Sequence, residues 1–301
     1  MIAGAGASAG GGAASAAADL AAARHESFLV YRRFRHLKAA VLLSLASTVA
    51  YLAWEPEGGV NNGGTWLGYA LGTIGALLIV WLMLLGMRKR RYGPGAYSLK
   101  GWTSAHVYLG LALTLVATLH AAFQVGWNIH TLAYALMLVV IATGVWGVVA
   151  YRRIPTLMTL NRGGQTFQDL TREIVGLDAE AADLALGLGD EYAEEVRRAR
   201  EETRLGGGIA RQLSGRDPRC GTARALANVR GLTRRLAPEQ AERGAALLVA
   251  LGRKQELLRR ARRDIRYKAL MDLWLYVHVP LSFALLAALT AHIVSVFFYW
   301  G

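Results

Sequence analysis

The sequence predicts an all-α integral membrane protein, a bundle of about five transmembrane helices with a cytoplasmic helical insertion. Three observations predict this class. Hydrophobic residues make up 54% of the 301-residue chain, and they gather into runs of about 20 residues, the length that spans a bilayer. Basic residues cluster in alternate loops, which is the pattern of cytoplasmic loops. The segment between the last two runs is rich in Ala, Leu, Glu and Arg and lacks the alternation of a β-strand.

Five apolar runs are long enough to cross a membrane. They are residues 37–54, 66–87, 102–125, 130–151 and 273–299. Lys and Arg cluster before the first run, between the second and third, and along 152–272, whereas the loops at 55–65 and 126–129 contain neither. The positive-inside rule therefore predicts a cytoplasmic N-terminus and a periplasmic C-terminus in a bacterial inner membrane. The first, third and fifth spans then run in the same direction.

The predicted organisation has four parts. Residues 1–24 are mostly Ala, Gly and Ser and lack the basic start of a secretory signal, so we expect a flexible tail. Residues 25–151 carry the first four transmembrane helices, and residues 273–301 carry the fifth. Between them, residues 152–272 form a cytoplasmic helical domain.

Turn residues divide the 152–272 domain into helices. We expect helix from Leu177 to Arg204 with a break near Gly187, and a long helix that starts near Pro238 and continues into the fifth span. The domain has 24 basic and 17 acidic side chains, a mixed-charge surface that does not indicate nucleic-acid binding. It has no GxGxxG or GxxxxGK sequence, so we expect no flavin or nicotinamide site. We interpret it as a docking platform or a structural cap.

The basic end of this domain has two interpretations. Most of the charged residues in 253–268 are arginines. This composition is typical of a juxtamembrane helix that follows the positive-inside rule. The same residues are also suited to anionic membrane lipid or to an acidic partner.

The single cysteine, Cys220, excludes several cofactor classes. One thiol cannot form an intrachain disulfide, an iron–sulfur site of four cysteines or a zinc site of four cysteines, and the chain has no CxxCH sequence for covalent haem. Because Cys220 falls in the polar segment SGRDPRCG, we expect a solvated free thiol.

Four of the seven histidines repeat one spacing. His106 and His120 lie 14 residues apart in the third run, and His278 and His292 lie 14 apart in the fifth. This spacing is about 21 Å of helix and nearly four turns, so each pair lies on one helical face near opposite membrane surfaces. Because the two helices run in the same direction, His106 pairs with His278 on the cytoplasmic side and His120 with His292 on the outer side. These pairs are suited to the irons of two haem b groups.

Other uses of these histidines fit less well. A single buried histidine in a membrane helix is often held by a hydrogen bond alone, but that does not explain two pairs at one spacing. A zinc or copper transporter, or a proton relay, would add acidic or thiol groups, and the spans carry no acidic residue at the depth of the histidines.

Polar and small residues near the histidines are candidate haem contacts. Those on the cytoplasmic side are Lys100, Trp102, Thr103 and Tyr276. Those on the outer side are Gln124, Trp127, Asn128, His130 and Tyr299. Gly110, Gly144 and Gly147 offer room for a flat ring, although ordinary helix packing explains each glycine as well. His130 has two further interpretations, a quinone contact or an interfacial histidine.

The segments HVYLGLALTLVATLH, His106 to His120, and HVPLSFALLAALTAH, His278 to His292, resemble those of the membrane di-haem cytochromes b. Their placement on the third and fifth spans looks most like the transmembrane core of the ferric reductase and NADPH oxidase superfamily. The resemblance covers about 40–151 and 272–300. It implies two haem b groups, each bound by one histidine from either helix. The 152–272 insertion has no counterpart there, and the superfamily's sixth span and flavin domain do not follow before Gly301.

The resemblance implies an electron-transfer subunit of a redox complex, not a self-sufficient enzyme, and we predict no catalytic residue. Its partners would be a cytoplasmic flavin or iron–sulfur protein, or a quinol, together with an outer-side acceptor or donor. A second interpretation is a quinol-oxidising or quinone-reducing cytochrome b subunit of a dehydrogenase. A haem-based membrane sensor that signals through residues 152–272 is an interpretation from another class, although two axial histidines leave no open site for a gas.

Overall fold

The computed structural model of the chain describes residues 28–55, 61–90 and 98–299. These residues are almost entirely helical and contain no β-strand, so the predicted all-α class is confirmed. The predicted N-terminal tail, residues 1–24, lies outside the described residues.

Nine α-helices occur within the described residues, together with 3-10 turns at Phe28–Val30 and Thr233–Arg235. They are α1 (Tyr31–Ala53), α2 (Trp66–Arg90), α3 (Leu99–His120), α4 (Ile129–Arg162), α5 (Phe167–Leu186), α6 (Asp190–Glu202), α7 (Ile209–Ser214), α8 (Gly221–Leu232) and α9 (Pro238–Tyr299). The helices α1, α2, α3, α4 and α9 contain stretches long and apolar enough to cross a membrane. The chain is therefore a multi-pass membrane protein.

The third membrane helix ends earlier than its composition predicts. The apolar run continues to Val125, but α3 ends at His120. Ala122 and Phe123 then adopt left-handed backbone conformations, with φ of 46° and 61°, and a helix of L-residues cannot continue through such positions. His120 consequently lies in the last turn of its helix.

The described residues form two compact units, one up to Val145 together with His278 onward, and the other from Trp146 to Val277. In the first unit, four membrane helices share one apolar layer. Ile79 of α2, Leu113 of α3, Met137 of α4 and Leu285 of α9 form a buried cluster. These side chains come from helices distant in sequence, so the layer fixes the depth at which the helices align.

The second unit contains a helical domain built around the N-terminal half of α9. Leu247 and Leu251 of α9 are buried with residues of α5, α6 and α8, and Leu257 and Leu258 are buried with another part of α5. The predicted break near Gly187 separates α5 from α6, and α9 begins at Pro238 as expected. The short helix α7 follows the glycines at Gly206–Gly208.

The cysteine prediction was wrong. Cys220 is only 3% exposed, and it belongs to the buried cluster beneath α9. Its Sγ lies 3.3 Å from Nη2 of Arg262, whose guanidinium also pairs with Asp217 at 3.2 Å. The polar residues around Cys220 suggested a solvated turn, but the turn directs this one side chain inward just before α8.

Candidate cofactor site

The two histidine pairs, each with a spacing of 14 residues, both belong to the first unit, one pair on α3 and the other on α9. Leu113 is midway between the two histidines of α3, and Leu285 is midway between the two of α9. These leucines share a buried cluster, and the rings of His120 and His292 lie 6.0 Å apart. Leu285 follows Leu113 by the same number of residues as His292 follows His120. The helices α3 and α9 therefore run in the same direction. In the sequence, His106 and His278 are separated by the same number of residues.

Three of the histidines have their Nδ1 atom against a hydrogen-bond acceptor. Nδ1 of His106 lies 3.0 Å from the carbonyl of Leu82, and Nδ1 of His120 lies 2.7 Å from the carbonyl of Gly68. A carbonyl can only accept, so in each case the ring nitrogen must be the donor. In the neutral ring this places the proton on Nδ1 and leaves Nε2 as the nitrogen with a lone pair.

The third acceptor is a side chain. Oγ1 of Thr143 lies 2.8 Å from Nδ1 of His278, and the same hydroxyl donates to the carbonyl of Val140 at 2.8 Å. Since its one proton is used there, Thr143 accepts from His278. His278 therefore has the same tautomer as His106 and His120, with Nε2 unprotonated. Histidines that bind metals commonly use their other nitrogen in this way.

The outer pair has the separation that one bound metal ion requires. Two imidazoles that bind an iron from opposite sides, each at about 2 Å, have ring centroids roughly 6 Å apart. The His120 and His292 rings are 6.0 Å apart with an interplanar angle of 78°. Nδ1 of His292 is buried and has no hydrogen-bond partner among the described residues. The nitrogen donors and the centroid separation of this outer pair are therefore compatible with two imidazoles on one haem iron.

One glycine of a neighbouring helix makes room for an imidazole. A Cβ atom on Gly72 would lie 2.7 Å from Cε1 of His120, whereas one on Gly144 would lie 3.5 Å from Cε1 of His278, an ordinary contact distance. The first distance is too short for any side chain, so α2 can approach His120 only because residue 72 is glycine. Gly147 instead accommodates the indole of Trp274, and Gly110 meets only Leu82 at an ordinary distance. These last two glycines serve helix packing.

His130 lies against the outer pair. Its ring centroid is 4.3 Å from that of His292, with an interplanar angle of 84°, although the His130 side chain is itself exposed. Among the outer polar candidates whose side chains the structure describes, His130 is the one whose ring contacts a predicted haem ligand, His292. The helix start at Ile129 positions it, since His130 is the second residue of α4.

The other polar candidates have different partners or face outward. Trp102 stacks on Trp81, with ring centroids 4.7 Å apart, and Thr103 donates to the carbonyl of Leu99 in its own helix. Tyr276 is 73% exposed and Trp127 is fully exposed. The remaining four are Lys100, which is half-buried at the start of α3, Gln124, which is exposed, Asn128, which accepts from the backbone of Thr131 in the first turn of α4, and Tyr299, whose side chain lies outside the described residues.

No cluster of three or more His, Cys, Asp or Glu side chains suited to a metal ion occurs in residues 28–55, 61–90 and 98–299. A haem bound by two histidines needs only two imidazoles from the chain, so its site would not form a cluster of three. No protein-family model, curated protein or solved structure matches this chain.

Sequence reasoning did not identify Thr143, Gly72 or the two backbone acceptors as parts of the site. Gly72 belongs to a run of glycines at positions 68, 72 and 75 of α2, and this spacing of about one turn marks a helix face that another group approaches closely. That signal was available in the sequence. Thr143 had none, because its role depends on which way α4 faces.

Proposed function

We propose that this protein is a membrane-embedded di-haem b-type cytochrome that transfers electrons across the membrane as a subunit of a redox complex. The observation that carries the proposal is the tautomer shared by His106, His120 and His278. Three separate acceptors, two backbone carbonyls and one hydroxyl, all leave Nε2 as the nitrogen able to bind a metal. Chance packing of half-buried histidines would not favour one tautomer three times at one repeated spacing.

The four histidines would hold two haem b groups, His106 with His278 and His120 with His292. Bound haem supplies reversible one-electron chemistry at its iron. The chain supplies the axial nitrogens and fixes the ring orientations through their Nδ1 bonds. It also separates the two histidine pairs by about 21 Å of helix. The buried layer around Leu113 and Leu285 keeps water out of the region between the two pairs.

The proposed setting is a bacterial inner membrane with the N-terminus and the helical domain in the cytoplasm. The distribution of Lys and Arg supports this orientation. His106 and His278 then lie toward the cytoplasm, where a flavin or iron–sulfur protein could dock, and His120 and His292 lie toward an outer acceptor or donor.

A reduced-minus-oxidised absorption spectrum of the detergent-purified protein tests this function. We expect b-type bands and two non-covalent haems per chain by the pyridine haemochrome assay. A protein expressed with ample haem that shows no such bands would contradict the proposal.

A second candidate, a quinol-reactive cytochrome b subunit of a dehydrogenase, is favoured by His130. Its exposed imidazole lies at the outer end of the bundle in contact with His292, where it could accept a proton from a quinol headgroup. Rapid reduction of the isolated protein by a soluble quinol, lost in His130→Ala but not in His36→Ala, would select this candidate. Equal reduction of all three proteins would exclude a role for His130.

A further inference from the structure

Three arginines of the helical domain lie together at one depression on its surface. Arg204, Arg211 and Arg216, in α7 and the loops on either side of it, line this depression with Arg262 of α9. Arg204, Arg211 and Arg216 are all exposed, whereas Arg262 is mostly buried. We refer to the three exposed residues as the arginine cluster.

The nearby carboxylates are already paired with other cations. Asp217, the one acidic residue lining the depression, pairs with Arg262 at 3.2 Å. Glu202, at the end of α6, pairs with Arg224. Among the described residues, no carboxylate lies within ion-pairing distance of any member of the arginine cluster. Three positive charges therefore converge on this surface without compensation.

The cluster lies beside the part of α9 that leads into its membrane span. A Cβ atom on Gly215 would lie 3.2 Å from Cδ of Arg266, so this loop contacts α9 at Arg266. From Arg266 to Leu273, where the apolar run begins, is seven residues, or about 10 Å of helix. The polar headgroup layer of a bilayer is roughly 5–8 Å thick on each side. The loop thus lies just outside the headgroup layer, and long arginine side chains from it extend toward the lipid phosphates.

We propose that the arginine cluster binds the phosphate groups of anionic phospholipids in the leaflet next to the helical domain. A guanidinium binds phosphate oxygens through two parallel hydrogen bonds, which an ammonium group cannot do. The exposed side chain of Ile209, at the start of α7 between Arg204 and Arg211, offers an apolar contact for the adjoining lipid. Bound lipid holds the α7 loops against the membrane. This inference does not depend on haem.

Hydrogen exchange of the full-length protein in nanodiscs tests the proposal without any substitution. We expect amides in residues 204–216 to exchange more slowly in phosphatidylcholine with added phosphatidylglycerol than in phosphatidylcholine alone. Inorganic phosphate added to the phosphatidylcholine sample should leave the exchange unchanged. Equal exchange in the two bilayers would overturn the proposal. Slowing by inorganic phosphate alone would also overturn it, since the site would then be one for a free anion.

A matched pair of triple variants tests the residues themselves. The cluster variant is Arg204→Gln, Arg211→Gln and Arg216→Gln. The control variant is Arg172→Gln, Arg197→Gln and Arg198→Gln, which removes the same charge from exposed arginines that are ion-paired.

Native mass spectrometry of bound phosphatidylglycerol provides the measurement for these variants. Each basic residue near an anionic surface strengthens binding roughly fivefold, so we expect the cluster variant to bind at least tenfold more weakly than the wild type. The control should remain within about twofold of the wild type, since each of its arginines is already paired with a carboxylate. Equal weakening in both variants would indicate a general charge effect and would overturn the proposal.

Discussion

Thr143 accepts a hydrogen bond from Nδ1 of His278 at 2.8 Å. The threonine is on α4 and the histidine is on α9, so this bond joins the two helices and fixes the tautomer of a proposed axial ligand. The corresponding acceptors for His106 and His120 are backbone carbonyls. Thr143 is thus the one acceptor of the three that a substitution can remove without changing the backbone.

Thr143→Val is expected to weaken one haem site and to leave the other intact. Valine has nearly the same shape but cannot accept from His278, and loss of such an outer partner commonly costs 10–100-fold in metal affinity. The bond also makes the imidazole more basic, so its loss should raise the midpoint potential of that haem. Haem content and a redox titration measure both effects. Thr143→Ser, which keeps the hydroxyl, should behave as the wild type, and two unchanged potentials in the valine variant would contradict the assigned role.

Gly72→Ala is expected to displace the outer haem site. The added Cβ would lie 2.7 Å from Cε1 of His120, and neither the ring nor the packed helix can accommodate it without moving. The control is Gly75→Ala on the same helix, where the nearest atom is Cδ1 of Leu113 at 3.6 Å. We expect one haem per chain in the first variant and two in the second. Identical haem content in the two variants would show that Gly72 is not needed at the site.

Removal of Asp178 is expected to destabilise the helical domain strongly. Its carboxylate pairs with Lys254, which is 1% exposed in the domain core. Asp178→Ala leaves a buried ammonium without a counter-charge, a change that costs about 3–5 kcal/mol. The exposed pair of Glu201 with Arg197 provides the control, and Glu201→Ala should cost less than about 1 kcal/mol. Chemical denaturation of the purified protein compares them, and similar losses of unfolding free energy would contradict the burial of Lys254.

Cys220 is expected to resist thiol reagents in the native protein. Its side chain is buried and Arg262 lies against its sulfur. Since the chain has one cysteine, the rate of reaction with a chromogenic disulfide reports on this site alone. We expect slow labelling in the folded protein and rapid labelling in denaturant. Rapid labelling of folded protein would show that the thiol is accessible.

The sequence predicts the membrane helices and the long helix α9 because these depend on local composition and periodicity. The equal spacing of His106 with His120 and of His278 with His292 is likewise a property of the chain itself. The end of α3 was less predictable, since apolar residues continue past His120 while the backbone turns away at Ala122.

The supporting parts of the site could not be predicted in the same way. The contacts of Thr143 with His278, and of Gly68 with His120, depend on how each helix is rotated and on its depth relative to its neighbour. Packing between distant segments sets both quantities. The burial of Cys220 has the same origin, because a polar local sequence does not reveal which single side chain faces the core.

The pairing of the histidines is the central claim, and the haem content of paired His→Ala variants tests it most directly. His120→Ala with His292→Ala removes both ligands of one proposed site, so we expect one haem per chain, the same as in either single variant. His120→Ala with His278→Ala removes one ligand from each proposed site, so we expect none. One haem in the second variant and none in the first would contradict the pairing, and haem content unaffected by any of these substitutions would contradict the proposed sites altogether.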